Sequence, residues 1–221
     1  MPKLLTQGVS LEPKNGRQLI GIVAGFKSER WPVIDRNAGR LQLGIRKASL
    51  IDVAYDPAQP VLGNPNGDLS IVEFFDYACP TCKTLHPHLK QIVADDGHIR
   101  LVMKDWPING EVVLYAARMV HAAGYLGHYA SAHLAVMGIA GTLTHRSVDD
   151  GLRRSNINPA DVRDALDLHL PRIDALLERN REQAKRLNLI GTPSFLIGSR
   201  LYGGPLSPDQ IREAITLARQ R

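Results

Sequence analysis

"FFDYACPTCKTLHP", residues 74–87, holds both cysteines of a 221-residue chain, with a Pro-Thr dipeptide between them and an apolar run in front. The spacing alone leaves three readings open: a redox centre, half of a metal site, or two inert buried thiols. Cysteines three apart close only a tiny loop when they pair, so the bond constrains little of the unfolded chain. Chemistry, rather than stability, is then the reason to pair them. A chain of this length buries a full core without disulfide staples.

Around this stretch the sequence organises itself. "LSIVEFFDY" (69–77) reads as a buried strand: short, β-branched or aromatic, and nearly continuously apolar, as central parallel strands are. "CPTCKTLHPHLKQIVADDG" (79–97) reads as a helix beginning at Cys79, with Pro80 in the first turn, where a missing N–H costs nothing. "IRLVMKDWPI" (99–108) is a second strand, giving a β-α-β unit with parallel strands and a right-handed crossover. From 111 to about 187 only helical patterns follow. "EVVLYAARMVHAAGYLGHYASAHLAVM" is Ala-rich with apolar residues at helical spacing, and "NPADVRDALDLHL" opens on Asn158 as N-cap with Pro159 behind it. "TPSFLIG" and "RLYGG" then return to strand and turn. "SPDQIREAITLARQ" starts a last helix with the capping box Ser207-x-x-Gln210 and Pro208. The order is β-α-β, a helical block at about 111–188, and β-β-α.

Residues 1–58 are polar, basic and Gly-rich, with a weak helical pattern over 41–53, and read as an N-terminal basic appendage and a candidate oligomerisation segment. "DPAQPVLGNPNGD" (56–68), with three prolines, Asn-Pro and Asn-Gly, marks the boundary to a main domain over 59–221. The net charge of +5 is local: residues 1–50 hold nine Lys/Arg against three Asp/Glu, the rest 18 against 19. No zinc-finger spacing, arginine-rich block or interleaved aromatic pattern accompanies it, so no nucleic-acid partner is expected. No apolar stretch nears the roughly 18–20 residues of a membrane span. "LIGIVAGF" (19–26) is the best candidate for a secretion signal, but it is short and no small-residue cleavage site follows, so no clear signal peptide is read.

The chemistry gathers at the helix start. Unpaired N–H groups and the positive end of the helix dipole point at the Cys79 sulfur, an environment that lowers a thiol pKa into a range of about 3.5–7.5. Cys82, one turn further in and on the same side, is expected to be the more buried partner. Thr81, between them, cannot bring positive charge as a histidine could. Cys79, Cys82, His86 and His88 also spell a zinc vocabulary. On one helix, however, His86 and His88 lie about 200° apart, so no single-chain metal site is expected. Glu73, six residues before Cys79 in an apolar strand, is costly to bury unless paired or used. Desolvation should raise its pKa and fit it to exchange a proton with Cys82. Lys104 is equally out of place in the next strand, and two readings stand level for the two charges: they face each other and take part in proton transfer, or each is satisfied in a buried ion pair or at an edge location. In "GTPSFLIG", Pro193 stands first in a strand. A cis Thr192–Pro193 bond would let an extended peptide pair with the chain at Thr192, whereas an ordinary strand-start proline would do nothing of the kind.

Together "VEFFDYACPTC", "VMKDWPI", the helical block and "GTPSFLIGSRLYGG" resemble the DsbA-like thiol:disulfide oxidoreductase family, an α/β thioredoxin fold with an inserted α-helical domain. The resemblance covers about residues 61–219. It implies Cys79 as nucleophile, Cys82 as resolving cysteine, Glu73 as the family's buried acid and Thr192-Pro193 as a cis-proline loop beside the cysteines; Lys104 remains a further catalytic candidate from its place in the strand alone. Pro80, Thr81, Thr192 and Pro193 become substrate-binding candidates. It further implies cysteine-containing protein substrates, a membrane redox partner, a periplasmic or extracytoplasmic compartment, and no cofactor. The leading expectation is a disulfide oxidant. Its rivals are an oligomeric isomerase or reductase of the same fold, assembled through residues 1–58, and a protein that carries Cu(I) on the two thiols. Pro-Thr stands where the best-known oxidases have Pro-His. A glutathione-using enzyme of this fold usually lacks the second cysteine, so Cys82 speaks against it.

Overall fold

The computed structural model describes residues 47–220. The basic arm over residues 1–46, the apolar run at 19–26 and the first part of the helix expected over 41–53 lie outside the described residues. Within them the order is α1 (Lys47–Ala54), β1 (Val61–Gly63), β2 (Leu69–Phe75), α2 (Pro80–Asp96), β3 (Ile99–Asp105), α3 (Glu111–Tyr125), α4 (Tyr129–Met137), α5 (His145–Arg154), α6 (Pro159–Arg186), β4 (Ser194–Ile197), β5 (Arg200–Tyr202) and α7 (Pro208–Arg219). No helix among the described residues is long and apolar enough to cross a membrane.

The strands form one sheet in the order β1-β3-β2-β4-β5. β2 and β3 run parallel, in register from Leu69↔Ile99 to Phe75↔Asp105. β4 pairs antiparallel with β2, and β5 with β4. Every residue of β2 is buried, which explains its continuous apolarity: both faces are covered, so neither alternates with water. β1 is a strand that the sequence pattern does not place. It lies inside the turn-rich segment taken as a boundary, and three residues between Pro60 and Pro65 are too few to set up a period of two. Gly63 is needed there: it sits at φ +70°, and a Cβ would come within 2.6 Å of the Ile99 carbonyl oxygen. Packed structure stands on both sides of this segment, because Val53 and Ala54 of α1 are buried against Val72, Phe74 and Val102.

The pleat separates two cores. Val72, Phe74, Val102 and Leu196 face α1 and the residues around the end of α6, Ala184, Leu187 and Leu189. Ile71, Phe75, Leu101 and Met103 face α2, α7 and the helical insertion, in a single continuous cluster. The helix starts follow the sequence signals. Asn158 accepts the N–H of Ala160 at 3.1 Å, and Ser207 and Gln210 cap α7 reciprocally. The Ala-rich stretch divides into α3 and α4 at Gly127, φ +81°. α6 is 28 residues long and runs through Pro171, about 42 Å at the usual helical rise. It begins in the insertion core and ends behind the sheet, joining the two layers.

Candidate active site

β2 ends at Phe75, and Asp76 organises the loop beyond it. Its carboxylate accepts the N–H of Ala78 at 2.7 Å, and those of Ile108 at 2.9 Å and Asn109 at 3.1 Å, so one side chain ties the loop after β2 to the loop after β3. The turn delivers Cys79 as the N-cap of α2, at φ −69° and ψ 116°, with Pro80 as the first helical residue. The N–H of Cys82 donates to the Cys79 sulfur at 3.3 Å, as an N-cap side chain is bonded. Both thiols are free; Cys79 is 7% exposed and Cys82 0%, in the order expected from the helix. The Cys79 thiol donates to the Thr192 carbonyl, also at 3.3 Å, across 113 residues of chain. The Thr192–Pro193 bond is cis, and Ser194 Oγ closes the turn on the Gly191 carbonyl at 2.7 Å. Pro80 and Thr81 are exposed, Thr192 is half-buried and Pro193 is buried. The structure thus brings Cys79, Cys82, Pro80, Thr81, Thr192 and Pro193 to one place.

Beneath Cys82 the interior is polar. Burial first, and then the charge of Glu73, push the Cys82 thiol far above its ordinary value. Glu73 is 0% exposed, and neither carboxyl oxygen has a partner. Burial, and then the charge of Asp105, push its pKa up to about 8. Asp105 is paired through Oδ2 with His121 Nε2 at 3.0 Å and with the Tyr129 hydroxyl at 3.4 Å. Next to them the Tyr77 hydroxyl meets His133 Nδ1 at 2.9 Å, and His86 packs edge-on against His133 with ring centroids 4.7 Å apart. His86 is buried and His88 exposed, as their positions on one helix require. Among the described residues no three His, Cys, Asp or Glu side chains converge as a metal site would need.

Lys104 does not face Glu73, and the alternative reading, a satisfied buried ion pair, is the one the structure shows. Register pairs Glu73 with Met103 and Phe74 with Lys104, and paired residues of neighbouring strands share a face. Lys104 therefore points to the opposite side of the sheet from Glu73 and the cysteines. There it donates to Gln183 Oε1 at 2.8 Å and lies 3.7 Å from the Asp56 carboxylate, which Arg179 also holds at 2.8 Å. Burial lowers its pKa to about 8 against the pull of Asp56. Asp76, Asp105, His121, Tyr77, Tyr129 and His133 are absent from the sequence-derived site. For Asp76 and Tyr77 a signal existed, since they lie inside the cysteine stretch itself; the others come from elements that only packing brings near.

The thioredoxin family model matches residues 56–216. A thioredoxin-like oxidoreductase from Silicibacter pomeroyi DSS-3 superposes with a TM-score of 0.73 at 34% identity, over 80% of this chain and 99% of that one. The thiol-disulfide exchange protein alpha-DsbA2 from Wolbachia pipientis gives 0.72 at 27% identity, over 77% and 92%. The chain belongs to the thioredoxin family, as a DsbA-like member with a helical insertion. Among curated relatives, the Na(+)/H(+) antiporter NhaA 1 of Salinispora arenicola is 27% identical over 197 residues, which is 81% of this chain but 28% of that protein. The chain therefore spans little more than a quarter of that relative's length.

Proposed function

We propose that this chain is a thiol:disulfide oxidoreductase that donates the Cys79–Cys82 disulfide to cysteine-containing proteins in an extracytoplasmic compartment. The observation that carries the reading is the position of the Cys79 sulfur: capping a helix N-terminus and 3.3 Å from the Thr192 carbonyl. A substrate thiolate attacks Cys79 Sγ, the sulfur–sulfur bond breaks, and its electron pair leaves on Cys82 Sγ. Cys82 is buried and its thiolate is disfavoured, so this sulfur takes up a proton, for which the Glu73 carboxyl is the buried source. A second substrate thiolate then attacks the substrate sulfur of the mixed disulfide and releases Cys79, and the substrate leaves oxidised while the enzyme is left as dithiol. The Cys82 N–H donates to this same Cys79 sulfur at 3.3 Å, which holds it in place as the atom that leaves in the second step.

The peptide carrying the substrate cysteine would extend along Thr192, beside Pro193, with Pro80 and Thr81 on its other side. Ile190, 92% exposed and two residues before Thr192, and Ile108, 46% exposed, whose N–H is held by Asp76, give this region an apolar border. Such a border suits unfolded chains that still show their apolar side chains. A membrane-bound oxidant would restore the disulfide, as the resemblance implies.

The test is the reduction potential and mass of the purified protein, together with oxidation of a reduced unfolded substrate. The expected result is a potential well above thioredoxin's, which is about −270 mV, and stoichiometric oxidation that is lost in Cys79→Ser. A potential near thioredoxin's, with a dimer or trimer mass, would overturn the oxidant reading in favour of an oligomeric isomerase or reductase.

A further inference from the structure

The seam between the sheet and the helical insertion is packed with rings, and one imidazole lies among them. His133 of α4 is 0% exposed. Phe75, the last residue of β2, meets it edge-on with ring centroids 5.1 Å apart, and meets Tyr77 in the same way at 5.2 Å. Tyr129, one turn earlier on α4, stacks on it at 5.8 Å and 13° and backs it from its own helix. Two further contacts flank the cysteines. The Tyr77 hydroxyl, two residues before Cys79, is hydrogen-bonded to His133 Nδ1 at 2.9 Å. The His86 ring, one turn after Cys82, lies against the same imidazole at 4.7 Å. A single side chain of the insertion therefore touches the chain on either side of the Cys79–Cys82 pair.

We propose that His133 is a positioning residue for disulfide exchange: through Tyr77 and His86 it holds the cysteine-bearing segment so that Cys79 Sγ stands against the Thr192 carbonyl. This rests on the thiol-exchange reading above. A buried phenol takes a partner for its hydroxyl, and here the partner is on another layer of the fold. Asp76 ties the same loop to the loop after β3, so the two residues that precede Ala78 anchor it in two directions. The contact acts by geometry and not by charge. Burial, above all, holds the Tyr77 phenol well above its ordinary value and the His133 imidazole well below its own, so both partners are neutral. The link to the chemistry is the thiol proton that Cys79 donates to the Thr192 carbonyl at 3.3 Å. That bond belongs to the dithiol, because the disulfide has no such proton. Keeping Cys79 within reach of Thr192 therefore favours the dithiol and makes the protein a stronger oxidant. It also presents Sγ in one place to a substrate thiolate on a peptide extended along Thr192, which speeds exchange.

The experiment compares wild type with Tyr77→Phe, His133→Leu and the double variant, each shown to be folded by circular dichroism. Two quantities are measured: the redox equilibrium constant against glutathione, and the rate at which the oxidised protein oxidises a reduced peptide. Each single variant should lose about fivefold in both, the worth of one hydrogen bond. In the equilibrium constant that is a fall of about 20 mV. The double variant should lose no more than either single one, since all remove the same contact. A structural role alone would lower the denaturation midpoint and leave rate and potential where they are in wild type, and that result would overturn the proposal. Losses that multiply in the double variant would overturn it too. Tyr77→Phe removes one oxygen and keeps the ring against Phe75, so the answer does not depend on His133→Leu folding. A wild-type protein that never exchanges disulfides sinks the oxidoreductase reading, whereas wild-type exchange with unmoved variants sinks only the role of His133.

Discussion

The Glu73 carboxyl sits at the centre of β2 with no exposure and no partner, so its proton is coupled to folding. Its pKa is raised from 4.5 to about 8 in the folded chain. The folded state therefore holds this proton more tightly than the unfolded state does. The stability it contributes is whole below pH 4.5 and is lost as pH rises towards about 8. The loss amounts to at most about 5 kcal/mol across that window. Glu73→Gln keeps the shape and removes the titration. Denaturant unfolding at pH 5 and pH 8.5 should show wild type losing stability over the interval and the variant losing distinctly less; equal slopes would mean that Glu73 is solvated. Cys79 and Cys82 could be placed from a local rule, the helix start, that needs no neighbour, whereas Thr192 and Pro193 came from the family resemblance, since a proline beside a strand start implies no site by itself. Asp105 could be placed by neither. Its partners His121 and Tyr129 are 16 and 24 residues away on two helices, and a histidine on an apolar helix face looks the same whether or not a carboxylate waits across the core.

At the scale of elements, the strands and capped helices were legible wherever a pattern was long enough to repeat, as in β2, α2, α6 and α7. The short β1 was hidden by its flanking prolines. Lys104 marks a different limit. Two charged residues in two adjacent apolar strands look like a pair, but which face each takes depends on the register between the strands, and a shift of one residue reverses it. Neither strand carries that information alone. With Lys104 on the far face, holding Gln183 and Asp56, its role is to join α6 and the segment after α1 to the sheet. Lys104→Met should leave the partners unsatisfied and cost on the order of 1–3 kcal/mol in a chemical melt, while peptide oxidation proceeds at the wild-type rate. A slowing as large as that of Glu73→Gln would bring Lys104 back into the chemistry.

For the molecule as a whole, the insertion is not a separate lobe. Ala116, Met119 and Val120 of α3, Ala132 and Val136 of α4, and Val148 and Leu152 of α5 share one buried cluster with Phe75, Leu85 and Met103. Lys83 of the cysteine-bearing helix donates to the Ile139 carbonyl beyond α4 at 2.6 Å, a second tie across the seam. A shared core predicts shared unfolding. In a Trp31→Phe variant, tryptophan fluorescence, sensing Trp106 beside Phe74, and far-ultraviolet circular dichroism, dominated by the helices, should report one coincident transition. Two separated midpoints would mean that the insertion melts independently. The sheet order carries a consequence for how the protein comes into being. β2 lies at the centre, yet its β4 neighbour is encoded beyond the whole insertion, and Thr192 stands 113 residues after Cys79. While the chain is being made from its N-terminus, both cysteines emerge long before the carbonyl that will stand against Cys79, and the central strand waits with one edge open. Cys79 and the Thr192 carbonyl cannot meet on a growing chain until residue 192 has been delivered, so a copy halted before it carries two thiols and no finished site.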